Sequence, residues 1–343
     1  MKAMVLEAPN TPFILRELPD PVADAGEAVA KVYACGSGLT IQHFKAGRTP
    51  AKFPRIIGHE ICAEIVEIGD GVSSLSVGDI VTSYFYMNCG SCKFCLSNLQ
   101  PLCKNLGGYV GRECDGGYAE YIKLPARWFI KLPENLEWKN QPAHAGVAMD
   151  ALATPYKVLR RTRIQPGETV AIFGAGGGLG IHQVMLAKWA NARVIGIDTK
   201  KNKFPAVKKA GADEVIDASD DNVVEALMDL TDGEGIDVSI DYVSAKLTLE
   251  AATRALGKKG RMVTLGGAGE EFNLDAKHLL ANEIDVLGSR YVTPLEIIET
   301  YNLMARGEIW PIVSETRPLE EAEIIHDMVE KGDITGRAAL IIN

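Results

Sequence analysis

The sequence predicts an α/β protein with two domains, one β-rich and the other built on a doubly wound parallel sheet. From about residue 150 to residue 290, apolar runs of strand length alternate with helical patterns, which is typical of parallel βαβ units. Before about residue 145, short alternating runs are separated by Gly and Pro turns. Because 343 residues are long for a single core, two domains are also the natural expectation from length.

The apolar runs set the predicted elements. In the doubly wound part, six strands are expected at 169–173, 193–197, 214–216, 236–241, 261–265 and 284–287. In the β-rich part, strands are expected at 2–6, 28–33, 61–68 and 80–81. Two helical patterns, 295–305 and 319–330, precede a last strand at 338–342, which we expect to return to the first domain.

A glycine-rich turn follows the apolar run 169–173 and precedes a helical pattern. The second apolar run ends at Asp198, at about the 20-residue distance from the turn at which an acid binds a ribose. We expect the phosphates of the cofactor to bind at the turn residues Gly174, Gly176, Gly177, Gly178, Leu179 and Gly180. Strand, turn, helix and acid together predict a dinucleotide site. A carboxylate there repels a 2′-phosphate and favours NAD over NADP. A turn without a ligand is the alternative, and the spacing leaves open which glycine contacts the pyrophosphate.

Charge and hydropathy exclude several classes of partner. The net charge is −9 and the pI about 5.3, with no basic stripe to neutralise phosphates, so neither nucleic acid nor an acidic membrane surface is expected as a partner. No apolar stretch has the length of a bilayer span or of a signal-peptide core. We therefore expect a soluble, cytoplasmic protein. The odd number of cysteines, seven, also argues against a disulfide framework.

Four cysteines, Cys89, Cys92, Cys95 and Cys103, form a C-x2-C-x2-C-x7-C pattern in a loop-like stretch. Two-residue spacings allow thiolates to converge on one ion, and four sulfurs complete a tetrahedral zinc shell without a water position. The pattern therefore predicts a structural zinc. An iron–sulfur cluster, which also takes four cysteines, is the alternative.

Three further residues offer one sulfur, one nitrogen and one oxygen donor. Cys35 ends a strand-like run, His59 follows an apolar approach, and Asp150 lies in a segment rich in small residues. Three protein ligands with an open fourth position are typical of a catalytic zinc. Each residue alone is more often structural, so the trio is a hypothesis.

At this point the sequence resembles the zinc-dependent medium-chain dehydrogenase/reductases, or alcohol dehydrogenases, over essentially its whole length. Besides the cysteine pattern and the glycine turn, the resemblance is carried by C-G-S at 35–37, G-H-E at 58–60, V-G-D at 77–79, D-G-G-Y-A-E-Y at 115–121 and T-G-R at 335–337. The four cysteines combined with G-H-E are highly specific to the family, whereas the glycine turn is not.

The resemblance implies a GroES-like catalytic domain at 1–149 with a structural-zinc lobe, an NAD-binding Rossmann domain at 150–292, and a C-terminal return at 293–343. It implies two zinc ions per chain, one catalytic in the cleft between domains and one structural, and NAD as cofactor. Hydride transfer between NAD and an alcohol, secondary or cyclic, or the reverse carbonyl reduction, is the implied activity. A homodimer or homotetramer is the implied assembly.

The resemblance also assigns roles around the catalytic zinc. Cys35 and His59 match the first two ligands, and Asp150 stands where most members have a cysteine. Glu60 matches an acid beside the metal, and Ser37 matches the hydroxyl that receives the substrate proton.

On the cofactor side, Asp198 and Lys203 match the positions that hold the adenosine ribose, and Arg337 matches an arginine that contacts the pyrophosphate. Besides Asp150, two further positions depart from the family. Gly38 replaces an aspartate that commonly supports the ligand histidine, and Thr40 lies where many members have a relay histidine.

Two rival hypotheses remain. The first is a zinc-independent reductase of the same superfamily that acts on an activated C=C bond of an enone or enoyl thioester. The second is a non-catalytic NAD-binding protein derived from this fold. Retention of Ser37, Cys35, His59 and Glu60 argues against the second, since such a protein has no use for a metal cleft.

Overall fold

The computed structural model describes residues 1–219, 222–266 and 270–343. The chain divides into two compact units. The first comprises Met1–Ala153 and Val292–Asn343, and the second comprises Thr154–Tyr291. Asp150 therefore lies in the first unit, near its boundary. The functional domain assignments 1–149, 150–292 and 293–343 stay predictions.

The strands of the described ranges are β1 (Lys2–Leu6), β2 (Phe13–Glu17), β3 (Glu27–Ser37), β4 (Arg55–Ile56), β5 (Ile61–Ile68), β6 (Ile80–Ser83), β7 (Tyr121–Pro125), β8 (Phe129–Lys131), β9 (Thr169–Phe173), β10 (Arg193–Asp198), β11 (Glu214–Asp217), β12 (Ile236–Asp241), β13 (Leu256–Thr264), β14 (Asp285–Gly288), β15 (Val313–Pro318) and β16 (Arg337–Ile341).

The α-helices of the same ranges are α1 (Leu39–Lys45), α2 (Lys93–Leu96), α3 (Pro142–Val147), α4 (Ala153–Thr162), α5 (Gly180–Trp189), α6 (Phe204–Lys209), α7 (Val223–Asp229), α8 (Lys246–Arg254), α9 (Ala276–Asn282), α10 (Pro294–Ala305) and α11 (Ala322–Lys331). Between α3 and α4 lies a π-helical turn, Ala148–Leu152. Short 3₁₀ turns span Gln100–Leu102, Ala126–Trp128, Lys201–Lys203 and Leu319–Glu321.

The second unit contains a six-stranded sheet with the order β11-β10-β9-β12-β13-β14, and every pairing in it is parallel. The strand order reverses between β9 and β12, which is the doubly wound arrangement whose ligands bind beyond the carboxyl ends of the strands at that point. The inner strands are buried along nearly their whole length, as their continuous apolar runs require. The predicted doubly wound sheet is confirmed.

One strand of this sheet is longer than predicted. β13 begins at Leu256, whereas the apolar run predicted a start at 261. The exposed Lys258 and Lys259 interrupt the apolar pattern. The pairing with β12 also shifts register between Ile236 and Val238. The first part of β13 therefore lacks the continuous apolar run by which a buried strand is predicted.

The first unit is β-rich, as predicted. Its larger sheet has the order β15-β16-β3-β5-β6-β8, and β7 also pairs with β3. A three-stranded sheet has the order β2-β1-β4. β16 runs antiparallel to β3, with Ala338 opposite Ser37 and Leu340 opposite Cys35. The end of the chain therefore lies beside the strand that carries two of the predicted site residues.

Each unit has an apolar core of its own. In the first, Leu6, Ile61 and Ile65 lie among fully buried side chains of β1 and β5, and Ile325 of α11 belongs to the same cluster. In the second, alternate residues of the parallel strands pack under α8. None of the described helices is both long and apolar enough to cross a bilayer.

Candidate functional site

The four cysteines of the C-x2-C-x2-C-x7-C pattern converge in the loop that surrounds α2. Their sulfur atoms all lie within 4.8 Å of one another. Cys89 Sγ is 3.5 Å from Cys103 Sγ and 3.9 Å from Cys95 Sγ, and Cys92 Sγ is 3.6 Å from Cys95 Sγ and 4.0 Å from Cys103 Sγ. A tetrahedral zinc with Zn–S bonds of about 2.3 Å has S···S edges of about 3.8 Å. The sulfurs thus lie at zinc spacing, far beyond disulfide length.

Backbone N–H groups of the loop donate hydrogen bonds to cysteine sulfurs and so favour the thiolate form that binds a cation. Hydrogen bonds from the backbone of Ser91 and Cys92 lower the pKa of the Cys89 thiol to about 5, so that it is a thiolate at neutral pH. The Cys89 N–H in turn donates to Cys103 Sγ over 3.4 Å. Burial instead raises the pKa of Cys95 to about 12. A buried thiol among thiolates is deprotonated when a metal binds, so the donor set fits a structural zinc.

The second cluster of metal-binding side chains consists of His59, Glu60 and Asp150, whose ligand atoms lie within 4.8 Å of one another. His59 and Glu60 directly precede β5, and Asp150 lies in the π-helical turn between α3 and α4. All three side chains are buried, with exposed fractions of 1–3%. Single π-helical turns occur often at functional sites, because the extra residue redirects one side chain.

The surroundings of His59 are those of a metal-binding imidazole. Both of its ring nitrogens lack a hydrogen-bond partner among the described residues, although the side chain is buried. Its Nε2 lies 3.7 Å from Asp150 Oδ2, too far for a hydrogen bond. Phe85 packs against the ring with centroids 4.2 Å apart. An orphaned buried imidazole between carboxylates fits a zinc ligand.

Arg337 lies beside the two carboxylates. Its Nη2 donates to Glu60 Oε1 over 2.8 Å and to Asp150 Oδ2 over 3.2 Å, and its Nε donates to Glu60 Oε1 over 3.2 Å. Burial raises the pKa of the Glu60 carboxyl, and the Arg337 guanidinium opposes that shift. Glu60 Oε2 has no hydrogen-bond partner in the described part of the chain. The pyrophosphate contact that the resemblance implies for Arg337 stays a prediction.

Cys35 is placed differently from the other predicted ligands of the catalytic zinc. Its sulfur is not a member of the cluster formed by His59, Glu60 and Asp150. The thiol is fully buried near the end of β3. It donates a hydrogen bond to the Gly36 carbonyl oxygen, with 3.7 Å between sulfur and oxygen. Burial raises its pKa well above the ordinary value. Its role as a ligand stays a prediction.

Ser37, the predicted proton acceptor, ends β3 and is 1% exposed. Its hydroxyl forms a hydrogen bond with the hydroxyl of Tyr118, which is itself hydrogen-bonded to His326 over 3.0 Å. Neither Tyr118 nor His326 belongs to a sequence pattern that indicates a role in the site. The D-G-G-Y-A-E-Y motif contains Tyr118, but nothing in the sequence pairs it with a histidine 208 positions further on.

The glycine turn of the second unit has the geometry of a close backbone approach. Gly174 adopts φ +75°, which disfavours any side chain. A Cβ at Gly180, the first residue of α5, would lie 2.0 Å from the Gly174 carbonyl oxygen. A Cβ at Gly176 would lie 2.7 Å from the Lys203 side chain. Glycine is therefore favoured at these three positions, most strongly at Gly180, while Gly177 has a milder contact of 3.1 Å.

Asp198 ends β10 and lies directly beside this turn. Its Oδ2 accepts the Gly176 N–H over 2.8 Å, and its Oδ1 accepts the Lys200 N–H over 3.0 Å. Lys203 is buried close to the same carboxylate: a Cβ at Gly176 would lie 2.7 Å from the Lys203 side chain and 3.1 Å from Asp198 Oδ2. The backbone thus orients the Asp198 carboxylate at the carboxyl end of its strand, where the ribose of a dinucleotide binds in this sheet topology. The turn and the acid fit NAD, and their individual contacts stay predictions.

Comparison with known proteins agrees with this geometry. Residues 24–134 match the model of the alcohol dehydrogenase GroES-like domain, and residues 178–306 match the model of zinc-binding dehydrogenases. An alcohol dehydrogenase of Geobacillus stearothermophilus is 34% identical over 345 residues, covering 99% of this chain and 98% of the relative. The chain belongs to the zinc-dependent medium-chain dehydrogenase/reductase family. The resemblance inferred from the sequence motifs is confirmed.

Other members of the family are similar over the same extent. An NAD-dependent alcohol dehydrogenase of Saccharolobus solfataricus is 31% identical and covers 99% of this chain and 100% of the relative. The crystal structure of the alcohol dehydrogenase of Aeropyrum pernix superposes with a TM-score of 0.90 at 30% identity, over 99% of this chain and 100% of that structure. Both domains of the family fold are therefore present.

Proposed function

We propose that this protein is a zinc-dependent, NAD-linked alcohol dehydrogenase, which interconverts an alcohol and its carbonyl compound. The observation that carries the proposal is the buried cluster of His59, Glu60 and Asp150, in which the imidazole lacks a partner among the described residues. Family members of similar length are named NAD-dependent alcohol dehydrogenases. A secondary or cyclic alcohol is the substrate class that we propose.

We assign the metal sites as follows. His59 and Asp150 would hold the catalytic zinc, with Cys35 as the sulfur ligand and Glu60 as the acid beside it. The four cysteines of the lobe would hold a second, structural zinc. When bound, the catalytic zinc supplies a Lewis acid that lowers the pKa of the alcohol, and NAD supplies the hydride acceptor.

The side chains and backbone of this protein then have three tasks: they move the substrate proton, orient the ribose and bind the pyrophosphate. Ser37 receives the proton of the substrate hydroxyl at its Oγ and passes its own hydroxyl proton on toward solvent. Asp198 and Lys203 orient the adenosine ribose, and the turn residues from Gly174 to Gly180 bind the pyrophosphate through backbone N–H groups. Because Ser37 is almost completely buried, bulk water does not compete for this proton at its Oγ.

The test compares Ser37→Ala with Ser239→Ala. Ser239 is an equally buried serine of β12 whose hydroxyl donates to the Ala252 carbonyl, within the second unit. Loss of a proton acceptor costs about 10²-fold or more in kcat. We expect that loss for Ser37→Ala with unchanged zinc content and NAD affinity, and wild-type kcat for Ser239→Ala. Equal kcat values for the two variants would show that Ser37 is not the proton acceptor.

The substrate range separates the rival functions. The proposed enzyme oxidises alcohols with NAD and reduces the matching carbonyl compounds. Turnover of enones or enoyl thioesters, with alcohols and their carbonyl products inert, would instead establish the zinc-independent reductase. NAD binding without turnover of either panel would establish a non-catalytic protein.

A further inference from the structure

Five hydrogen-bonded side chains of the first unit lead from Ser37 to the protein surface. The Ser37 hydroxyl bonds to the hydroxyl of Tyr118, which lies 3.0 Å from Nε2 of His326. Nδ1 of His326 lies 2.6 Å from Oε1 of Gln42, and Nε2 of Gln42 donates to Glu330 over 2.7 Å. The five side chains come from β3, α1, α11 and the segment before β7, so the fold and not a local motif brings them together.

Burial separates this network from water. Tyr118 and His326 are fully buried, Ser37 is 1% exposed and Gln42 is 5% exposed, whereas 44% of the Glu330 side chain is exposed. Buried hydrogen bonds are not exchanged with solvent, and breaking one leaves an unsatisfied polar group at a cost of about 1–3 kcal/mol. The network therefore has one anchored end at the surface and one end at Ser37.

The surface end sets the direction of the hydrogen bonds. Arg48 donates to both oxygens of Glu330, over 2.8 and 2.6 Å, and this contact holds the pKa of Glu330 at about 2. The carboxylate can therefore only accept hydrogen bonds. Gln42 must turn its amide nitrogen toward Glu330 and, as a result, its oxygen toward His326. That oxygen accepts only, so the proton of His326 lies on Nδ1.

The direction continues from His326 to Ser37. Burial and the nearby Lys45 lower the pKa of His326 to about 3, so that the ring is neutral and Nε2 carries no proton. Tyr118 must then donate its hydroxyl proton to Nε2. The Tyr118 oxygen retains lone pairs, and one of them accepts the proton of Ser37. The lone pairs of Ser37 Oγ consequently face away from Tyr118.

We propose that Tyr118 and His326 are positioning residues that hold the Ser37 hydroxyl as a donor, so that its oxygen is free to accept a hydrogen bond from the proton of a substrate hydroxyl. The inference rests on the proposed function, in which Ser37 receives that proton. Fixing the hydroxyl in advance removes the orientational entropy that a freely rotating serine loses at each turnover. The imidazole of His326, on α11, thus orients the Ser37 hydroxyl in a protein that has Thr40 at the position of the relay histidine.

The kinetic test compares Tyr118→Phe with Tyr84→Phe. Tyr84 is a buried residue, as Tyr118 is, but its hydroxyl donates to the Val292 carbonyl over 3.2 Å, outside the network. In Tyr118→Phe we expect kcat for alcohol oxidation to fall about 10-fold, with KM, zinc content and NAD affinity unchanged. Tyr84→Phe should retain the wild-type kcat. Equal kcat values for the two variants would overturn the proposal.

A second measurement does not depend on turnover. Long-range ¹H–¹⁵N NMR of the protein, with its six histidines, reports which ring nitrogen carries the proton, and the signals absent from His326→Gln identify His326. We expect a protonated Nδ1 and a bare, hydrogen-bonded Nε2 in the wild type. In Tyr118→Phe, Nε2 should shift to the resonance of an unbonded nitrogen. A protonated Nε2 in the wild type would overturn the proposal.

The two measurements also distinguish this inference from the proposed function. If the wild type turns over neither alcohols nor carbonyl compounds, the proposed function fails and with it the substrate role of Ser37. The direction of the network is then decided by NMR alone, from the His326 tautomer and its response to Tyr118→Phe. If the wild type is active and the tautomer is reversed, the inference fails while the proposed function stands.

Discussion

The guanidinium of Arg337 fills the space in which a side chain at Gly38 would lie. A Cβ at Gly38 would lie 2.3 Å from Nη1 of Arg337 and 2.7 Å from its guanidinium carbon, closer than any real contact. The backbone of Gly38 is extended, with φ −142° and ψ 179°, so a larger residue there is opposed by contact with the guanidinium and not by backbone conformation. The guanidinium that pairs with Glu60 and Asp150 therefore occupies the space that a side chain at position 38 would take.

Replacing Gly38 with alanine should displace Arg337 and leave two buried carboxylates without their cation. Overpacking costs about 1–3 kcal/mol, and breaking a buried ion pair costs about 3–5 kcal/mol. We expect the free energy of unfolding to fall by at least about 2 kcal/mol in Gly38→Ala, measured by denaturant unfolding. Gly288→Ala is the control, because a Cβ at Gly288 meets nothing within 4 Å. Equal stability of the two variants would show that Arg337 tolerates the extra methyl group.

Asp198 should control NAD affinity. Its carboxylate is oriented by the backbone of Gly176 and Lys200. Asp198→Asn removes a charged acceptor, so we expect the Kd for NADH, measured by fluorescence titration, to rise on the order of 10-fold. NADP should bind better than in the wild type, because the repulsion of the 2′-phosphate is gone. Asp217 is Asp198's partner in register on β11 and pairs instead with Lys201, so Asp217→Asn should leave both affinities unchanged. A parallel change in the two variants would contradict a specific ribose contact.

His326 should make stability depend on pH. The ring faces Tyr118, Gln42, Lys45 and Phe13, and its pKa falls from 6.5 to about 3, first because of burial and then because of Lys45. The unfolded chain binds more protons between these values, so the free energy of unfolding falls as the pH drops from 6.5 toward 3. Each pH unit costs about 1.4 kcal/mol, or about 2 kcal/mol between pH 6.5 and pH 5.

Denaturant unfolding of the wild type and His326→Gln at pH 7 and pH 5 checks this prediction. The glutamine does not titrate, so its variant should lose less stability on acidification by about 2 kcal/mol. The other histidines contribute equally to both proteins. Identical losses in the two proteins would mean that His326 is protonated in the folded state or that its pKa is unshifted.

The sequence predicted the fold where apolar period and turn chemistry agree. The run 169–173 and the run 236–241 match their strands residue for residue, because both strands are buried in a parallel sheet. The strand β2, Phe13–Glu17, was missed because four of its five residues are exposed. An edge strand of this kind has neither the alternation nor the continuous apolar run that marks a buried one.

Contacts between distant residues in the site were beyond sequence patterns. The spacing of the four cysteines predicted a local cluster correctly, because the ligands of such a lobe are close in sequence. The π-helical turn that carries Asp150 has no sequence signature, and the contact of Tyr118 with His326 depends on the docking of α11. Arg337 was assigned to the cofactor by resemblance alone, and its ion pairs with Glu60 and Asp150 emerged only from the fold.

The two metal sites are tested by the zinc content per chain of protein purified without chelator, measured by elemental analysis. We predict about two zinc ions in the wild type, and about one in each of Asp150→Ala and Cys103→Ala. Asp150→Ala should also lose its alcohol dehydrogenase activity, because the remaining zinc is the structural one. One zinc in the wild type, unchanged in Asp150→Ala, would show that His59, Glu60 and Asp150 hold no metal and would contradict the account.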